Sequence, residues 1–266
     1  MGSNLGFPVI ALTVAYDGAR FSGFARQINA VTVQQRLEES LAIVLRRPLL
    51  IACAGRTDAG VHALGQVVSF PFEGQRPDPE ILLKSLNAMT PGIVVSEVRF
   101  ARPGFSARFD AKRREYRYRL HAGPVAPLFT AHVAWGIKKP LDLDAMRLAA
   151  ALLVGEHDFR SFCVTNSAIG QRTVRRVETI DIAEEWILGE RCLTVRVVGN
   201  AFLHSMVRTI VGSLVEVGVG RYEPSWVGEA LAARQRDAAG QTAPARGLTL
   251  WSVDYPDDVW IDEGNA

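Results

Sequence analysis

Leu49-Leu-Ile-Ala-Cys53 and Leu64-Gly-Gln-Val-Val-Ser-Phe-Pro-Phe72 are the stretches whose reading decides the fold. Both are short and apolar; Gly55 closes the first, Pro71 and Gly74 end the second, and no helical pattern lies between them. Two strands therefore follow one another directly. Upstream, Val9 to Tyr16 alternates apolar residues and ends at Asp17-Gly18, a strand meeting a turn. Thr32-Val-Gln-Gln35 then reads as a capping box, opening a helix with Val33, Leu37, Leu41 and Val44 on one face. Downstream, Asp78-Pro79 is an N-cap followed by a first-turn proline, and the helix it starts runs to about Ala88. Ile93 to Phe100 is a further strand. The order β-α-β-β-α-β is that of a ferredoxin-like split unit.

The second half reads the same way. Glu115 to His121 and His132 to Trp135 are expected strands, and Leu143 to Val154 is an apolar helix ended by Gly155. Val174 to Ile182 and Cys192 to Val198 are strands joined by a turn near Gly189. Leu203 to Val217 is a helix with Leu203, Met206, Val207, Ile210 and Leu214 at helical spacing; another helix begins at Ser225, and Leu248 to Val253 is a closing strand. The expected fold class is α+β: two tandem ferredoxin-like halves, 1–104 and 105–266, sharing an extended antiparallel sheet with a central cleft.

Composition narrows the chemistry. With 266 residues, 48% hydrophobic and 22% charged, the chain can build a sizeable core. No apolar run approaches the roughly 18 residues of a membrane span. The opening Met-Gly-Ser-Asn-Leu-Gly lacks signal-peptide regions, and the three cysteines form no C-x-x-C pair, so a cytoplasmic protein without disulfides is expected. A phosphate-binding G-x-x-x-x-G-K-[ST] loop, a G-x-G-x-x-G turn, a G-x-S-x-G elbow and an H-E-x-x-H zinc motif are all missing. What remains is chemistry without metal or cofactor, or no chemistry at all. The net charge of +2 conceals clustering: Arg99 to Arg119 holds eight bases against two acids, and Phe159 to Val177 holds four arginines and no acid. Basic character gathered in two stretches suits a polyanionic partner. The acidic tail from Asp257 carries no motif and is expected to be disordered.

Cys53-Ala-Gly-Arg-Thr-Asp-Ala-Gly-Val-His62 is the most informative segment. Two glycines bracket Arg56-Thr57-Asp58, so a tight loop between apolar strands presents an acid beside a base. Asp-Ala-Gly is equally an ordinary turn in which the aspartate bonds its own backbone. Tyr116 and Tyr118 stand at i, i+2 with Arg117 and Arg119 interleaved, placing rings on one strand face and guanidiniums on the other. Arg208 lies four residues after His204 on an otherwise apolar helix. Taken singly, a half-buried strand explains the tyrosines and a surface charge explains the arginine.

Taken together, six stretches resemble the tRNA pseudouridine synthase A family. They are Tyr16-Asp17-Gly18 with Phe21, Gly23 and Gln27; Gly55-Arg-Thr-Asp-Ala-Gly-Val-His62 with Gln66-Val-Val; and Phe105-Ser-Ala-Arg-Phe109 leading into Arg114-Glu-Tyr116-Arg-Tyr118. Gly155-Glu-His-Asp-Phe159 with Ser161-Phe162, Asn200-Ala-Phe-Leu-His204 with Met206-Val-Arg208 and Ile210-Val-Gly212, and Gly247-Leu-Thr-Leu250 complete the set, in order across nearly the whole chain. Departures are Phe24-Ala25 where the family usually has Trp-Gln, Ser205 where His or Asn is common, and Glu115 in place of a base.

The resemblance implies a homodimeric, cofactor-free isomerase that converts uridine to pseudouridine at positions 38, 39 and 40 of the tRNA anticodon stem-loop. It makes Asp58 the nucleophile, with Arg208 pairing with it and Tyr116 stacking on the uracil near the ribose. Arg56 and Arg76 correspond to residues that hold the flipped-out state of the target nucleotide. Phe105, Ser106, Ala107, Arg108 and Phe109, and the segment containing Asn166, Ser167, Gln171 and Arg172, match tRNA-contacting regions; Leu250 corresponds to the pocket floor. Competing readings are a noncatalytic protein of tandem RNA-recognition modules and a synthase aimed at another RNA.

Overall fold

The computed structural model describes residues 6–165 and 169–261, and the chain divides into two compact units. The first comprises the described residues up to Lys112 together with those from Leu250 onward; the second is Arg113–Thr249.

In the first unit, β1 (Val9–Tyr16) pairs antiparallel with both β3 (His62–Pro71) and β4 (Ile93–Ala101), and β2 (Ala52–Cys53) adds to the far side of β3. Helices α1 (Val33–Val44) and α2 (Pro79–Met89) complete the β-α-β-β-α-β order. The caps form as their sequences require. Thr32 Oγ1 accepts from the Gln35 amide, and Asp78 Oδ1 accepts from the amides of Glu80 and Ile81 just ahead of Pro79. The Gln35 carboxamide, which a full capping box would turn back, instead donates to Glu39.

Alternation along β1 divides two apolar layers. Ile10, Leu12 and Val14 are buried on one face, and Leu37 and Leu41 of α1 and Leu82 and Leu86 of α2 are fully buried as well. Val9 and Ala11 belong to a second core with Ala54, Val67, Ala101, Phe105, Ala107 and Val259. This second core corrects the expectation of a disordered tail as far as residue 261. Asp257–Val259 forms a helical turn, Val259 is fully buried, and the Trp260 ring packs 5.3 Å from that of Phe105. The Arg99 guanidinium lies 3.7 Å over Trp260, and the Tyr255 hydroxyl donates to Ala107 O at 2.7 Å. Apolar Val259 and Trp260 outweigh the acids around them. Residues 262–266 lie outside the described residues.

The second unit is built on β5 (Arg113–Ala122), β9 (Glu190–Gly199), β8 (Val174–Ile187) and β7 (Gly155–Asp158), antiparallel in that order, with β6 (Trp135–Ile137) parallel to β5. Helices α3 (Leu143–Ala151), α4 (Met206–Gly218) and α5 (Ser225–Ala233) accompany them. β10 (Leu248–Asp254) begins in this unit and ends in the first. Three expectations shift. The strand expected at His132 to Trp135 begins only at Trp135. β7 has no counterpart in the sequence reading, because Gly-Glu-His-Asp has no apolar alternation and owes its form to pairing with β8. The helix expected from Leu203 starts at Met206, after Ser205 in left-handed conformation at φ 60°.

Candidate active site

The loop carrying Asp58 joins β2 to β3, and the structure explains why a separate sequence motif, Tyr16-Asp17-Gly18 to Gly23, accompanies it. That motif cradles the loop. The Phe24 amide donates to Thr57 O at 3.0 Å, and the Gly18 amide donates to His62 Nδ1 at 3.2 Å. A Cβ on Gly18 would stand 2.1 Å from Val61 O, and one on Gly23 (φ 91°) 3.1 Å from Thr57 O. Only glycine permits backbone to approach this closely. Inside the loop, Val61 N donates to Asp58 O, and Gly60 takes φ 78° to complete the turn.

The turn therefore forms, yet its side chains divide by role. Thr57 is buried, with Oγ1 2.8 Å from the Tyr16 hydroxyl. Asp58 is half-buried and Arg56 exposed. An exposed base and a partly accessible carboxylate, on a backbone held from both sides, can meet a ligand without unfolding anything. Of the other expected residues in this unit, Arg76 is half-buried with its guanidinium 5.3 Å over the Phe100 ring, and Leu250 is fully buried.

The 105–109 segment is split. Phe105 and Ala107 are core residues of the second apolar layer, Ser106 is half-buried with its amide on Asp110, and only Arg108 and Phe109 are exposed, Phe109 at 80%. Phe105 and Ala107 thus hold the segment down while Arg108 and Phe109 present it.

In the second unit, Tyr116 and Tyr118 share a buried face of β5 and Arg117 and Arg119 the other, as alternation requires. The Tyr116 ring meets Phe202 edge-on at 5.2 Å. Tyr118 donates to Pro244 O at 2.7 Å, and burial pushes its hydroxyl pKa upward against the opposing pull of Arg208 and Arg246. α4 is buried along its whole length except at Arg208, which is half-buried with Nε donating to Ala243 O at 2.8 Å. A single accessible arginine on a buried helix is costly unless fixed or used. Gln171 and Arg172 are exposed; Asn166 and Ser167 lie outside the described residues. Among the described residues no group of three His, Cys, Asp or Glu is placed to hold a metal, and no helix is long and apolar enough to cross a membrane.

Sequence reasoning did not give Gln66 a role. It is fully buried, with Nε2 donating to Gly55 O at 2.6 Å and Oε1 accepting from Gly55 N at 3.4 Å. Its signal was available: an inward-facing amide in an otherwise apolar strand must find partners.

The basic stretches also differ. In the first, Arg102 pairs with Asp110, Arg113 with Glu178, Arg117 with Glu115 and Arg119 with Glu185, while Arg99 lies over Trp260. In the second, among the described residues, Arg160, Arg172, Arg175 and Arg176 make no ion pair.

Comparison with known proteins identifies the family. A family model described as tRNA pseudouridine synthase matches residues 12–110 and 149–256. A tRNA pseudouridine synthase A of Brevibacillus brevis is 45% identical over 242 residues, 91% of this chain and 97% of that protein. One of Klebsiella pneumoniae is 42% identical over 248 residues, 93% and 90% of the two chains. A Cbf5–Nop10–Gar1 crystal structure aligns at a TM-score of 0.37 and 13% identity, over 90% of this chain and 61% of that one. With the family model covering both the aspartate loop and α4, the chain belongs to the tRNA pseudouridine synthase family.

Proposed function

We propose that this protein isomerises uridine to pseudouridine at positions 38, 39 and 40 of the tRNA anticodon stem-loop, with Asp58 as the nucleophile. The observation that carries the reading is Asp58 itself, accessible at the tip of a loop whose backbone is fixed on both sides. The reaction breaks the bond from uracil N1 to ribose C1′ and forms one from C5 to the same C1′. N1 gains a proton and C5 loses one, so no oxidant, reductant or cofactor is needed. A carboxylate serves this chemistry by attacking C1′ or by holding positive charge that develops on the sugar. In this reading Tyr116 supports the uracil and ribose, Arg208 pairs with Asp58, and Arg56 and Arg76 hold the displaced state of the flipped nucleotide. Arg108, Phe109, Gln171 and Arg172, with Asn166 and Ser167, contact the tRNA, and Leu250 floors the pocket. The enzyme is expected to act as a homodimer in the cytoplasm.

The test is tritium release from a tRNA transcript labelled at uracil C5, comparing wild type with Asp58→Ala. Release lost in a variant that still binds tRNA supports the reading. Wild type that binds tRNA yet releases nothing overturns it in favour of binding without catalysis. Product mapping outside positions 38–40 would redirect the enzyme to another site, and a monomer by light scattering would remove the dimer.

A further inference from the structure

The aspartate loop is gripped by side chains as well as by backbone, and this grip is polar in a place where an apolar one would suffice. We propose that Gln66, Tyr16 and Thr57 form a buried clasp that sets the position of the Asp58 carboxylate, making them positioning residues for the reaction. The inference rests on the reading of Asp58 as the nucleophile.

Gly55 is the pivot where β2 gives way to the loop, and a residue without Cβ restrains the chain little. Gln66 grips both polar groups of that pivot, donating to its carbonyl and accepting from its amide. The same Nε2 reaches the Tyr16 hydroxyl at 3.4 Å, and that hydroxyl lies 2.8 Å from Thr57 Oγ1. The clasp thus ties strand β3, strand β1, the pivot and the residue immediately before Asp58 into one connected set. All three side chains are buried, Gln66 completely.

The backbone alone already closes this loop, through Ala54 N to Val67 O, Phe24 N to Thr57 O and Val61 N to Asp58 O. Closing the loop therefore does not require the polar side chains. Burying a carboxamide and two hydroxyls gains little net stability over well-packed apolar groups, whereas leaving one partner unmatched is costly. What the clasp adds is a fixed direction for residues 55–57, and with it for the carboxylate at 58. A carboxylate that must meet C1′ in line tolerates little error, since displacement by about 1 Å can cost a reaction on the order of a hundredfold.

The experiment measures the single-turnover rate on saturating tRNA, the tRNA Kd and the melting midpoint for Thr57→Val, Thr57→Ser, Tyr16→Phe and Asp58→Ala. Valine keeps the shape of threonine without its hydroxyl, and phenylalanine keeps the Tyr16 ring packing. The expected result is a fall of about tenfold or more in the rate for Thr57→Val and Tyr16→Phe, with tRNA Kd within about twofold of wild type. Serine at 57, which keeps the hydroxyl, recovers most of the loss seen with valine. The double variant Tyr16→Phe/Thr57→Val falls little further than either single one, as members of one unit do. Folded Thr57→Val and Tyr16→Phe proteins that turn over at the wild-type rate overturn the proposal, whether or not they melt earlier. If Asp58→Ala is inactive while those variants are unaffected, the clasp alone fails. If Asp58→Ala retains turnover, the nucleophile reading fails and the clasp falls with it.

Discussion

Ser205 stands in left-handed backbone at φ 60°, one residue before α4 begins. Among residues with a side chain, asparagine and histidine enter this region more readily than serine. Ser205→Asn should raise the melting midpoint by recovering part of the roughly 1–2 kcal/mol that left-handed backbone costs an L residue; an unchanged midpoint would contradict this. Gly18→Ala is expected to act in the opposite sense. A Cβ there must displace Val61 O, distort the cradle and lower turnover at least tenfold, measured by tritium release beside tRNA binding. At this scale Asp58 and Arg208 stood out in the sequence as charges beside apolar segments, and the roles proposed for them come from the family motifs they sit in. The cradling role of Gly18 and Gly23 was not legible, because it consists of contacts to a loop distant in sequence.

Elements with strong local signals matched the sequence closely. β1 and α1 carry alternation, a capped start and a periodic face, and their limits follow from them. β7 and β6 carry no such pattern; each is short and exists through pairing with β8 and β5. Another element-scale feature joins the 128–130 segment to β9. The Glu190 carboxylate accepts from the Thr130 hydroxyl and from the amides of Leu128, Thr130 and Phe129, which pulls its pKa down to about 2. A depressed carboxylate pKa gives stability that is present above the unfolded value and lost as pH falls through the folded one. This latch should therefore weaken between the ordinary 4.5 and about 2. Glu190→Gln should melt earlier at neutral pH and show a shallower decline over that acid window, followed by thermal melts across pH. Parallel declines for the two proteins would exclude the latch.

Across the molecule, clustered charge in the sequence did not translate into uniformly available charge. The stretch from 99 to 119 largely satisfies itself with carboxylates and a tryptophan, whereas Arg172 and Arg176 are exposed and, among the described residues, outside any ion pair. Sequence could count these bases but not their partners, since Glu178 and Glu185 come from another strand. Phosphate contacts release counterions, so Arg172→Gln and Arg176→Gln should each weaken tRNA binding and lower the salt slope by about one. Arg117→Gln should leave the slope unchanged; an equal effect of all three would contradict the distinction. The β-α-β-β-α-β order of the first unit was legible from periodicity, but the tail was not, because its two apolar anchors sit among acids.

That tail has a consequence for the order of events when the protein is made. The layer beneath the aspartate loop uses Ala54 and Phe105 from early in the chain and Val259 from near its end. At ordinary rates of synthesis these are separated by on the order of ten seconds. During that interval a ribosome-bound chain would carry Phe105 without Trp260 to cover it. The unit that presents Asp58 is thus begun before the second unit and completed after it, and a chain released before Val259 is made would lack the cover of its second core.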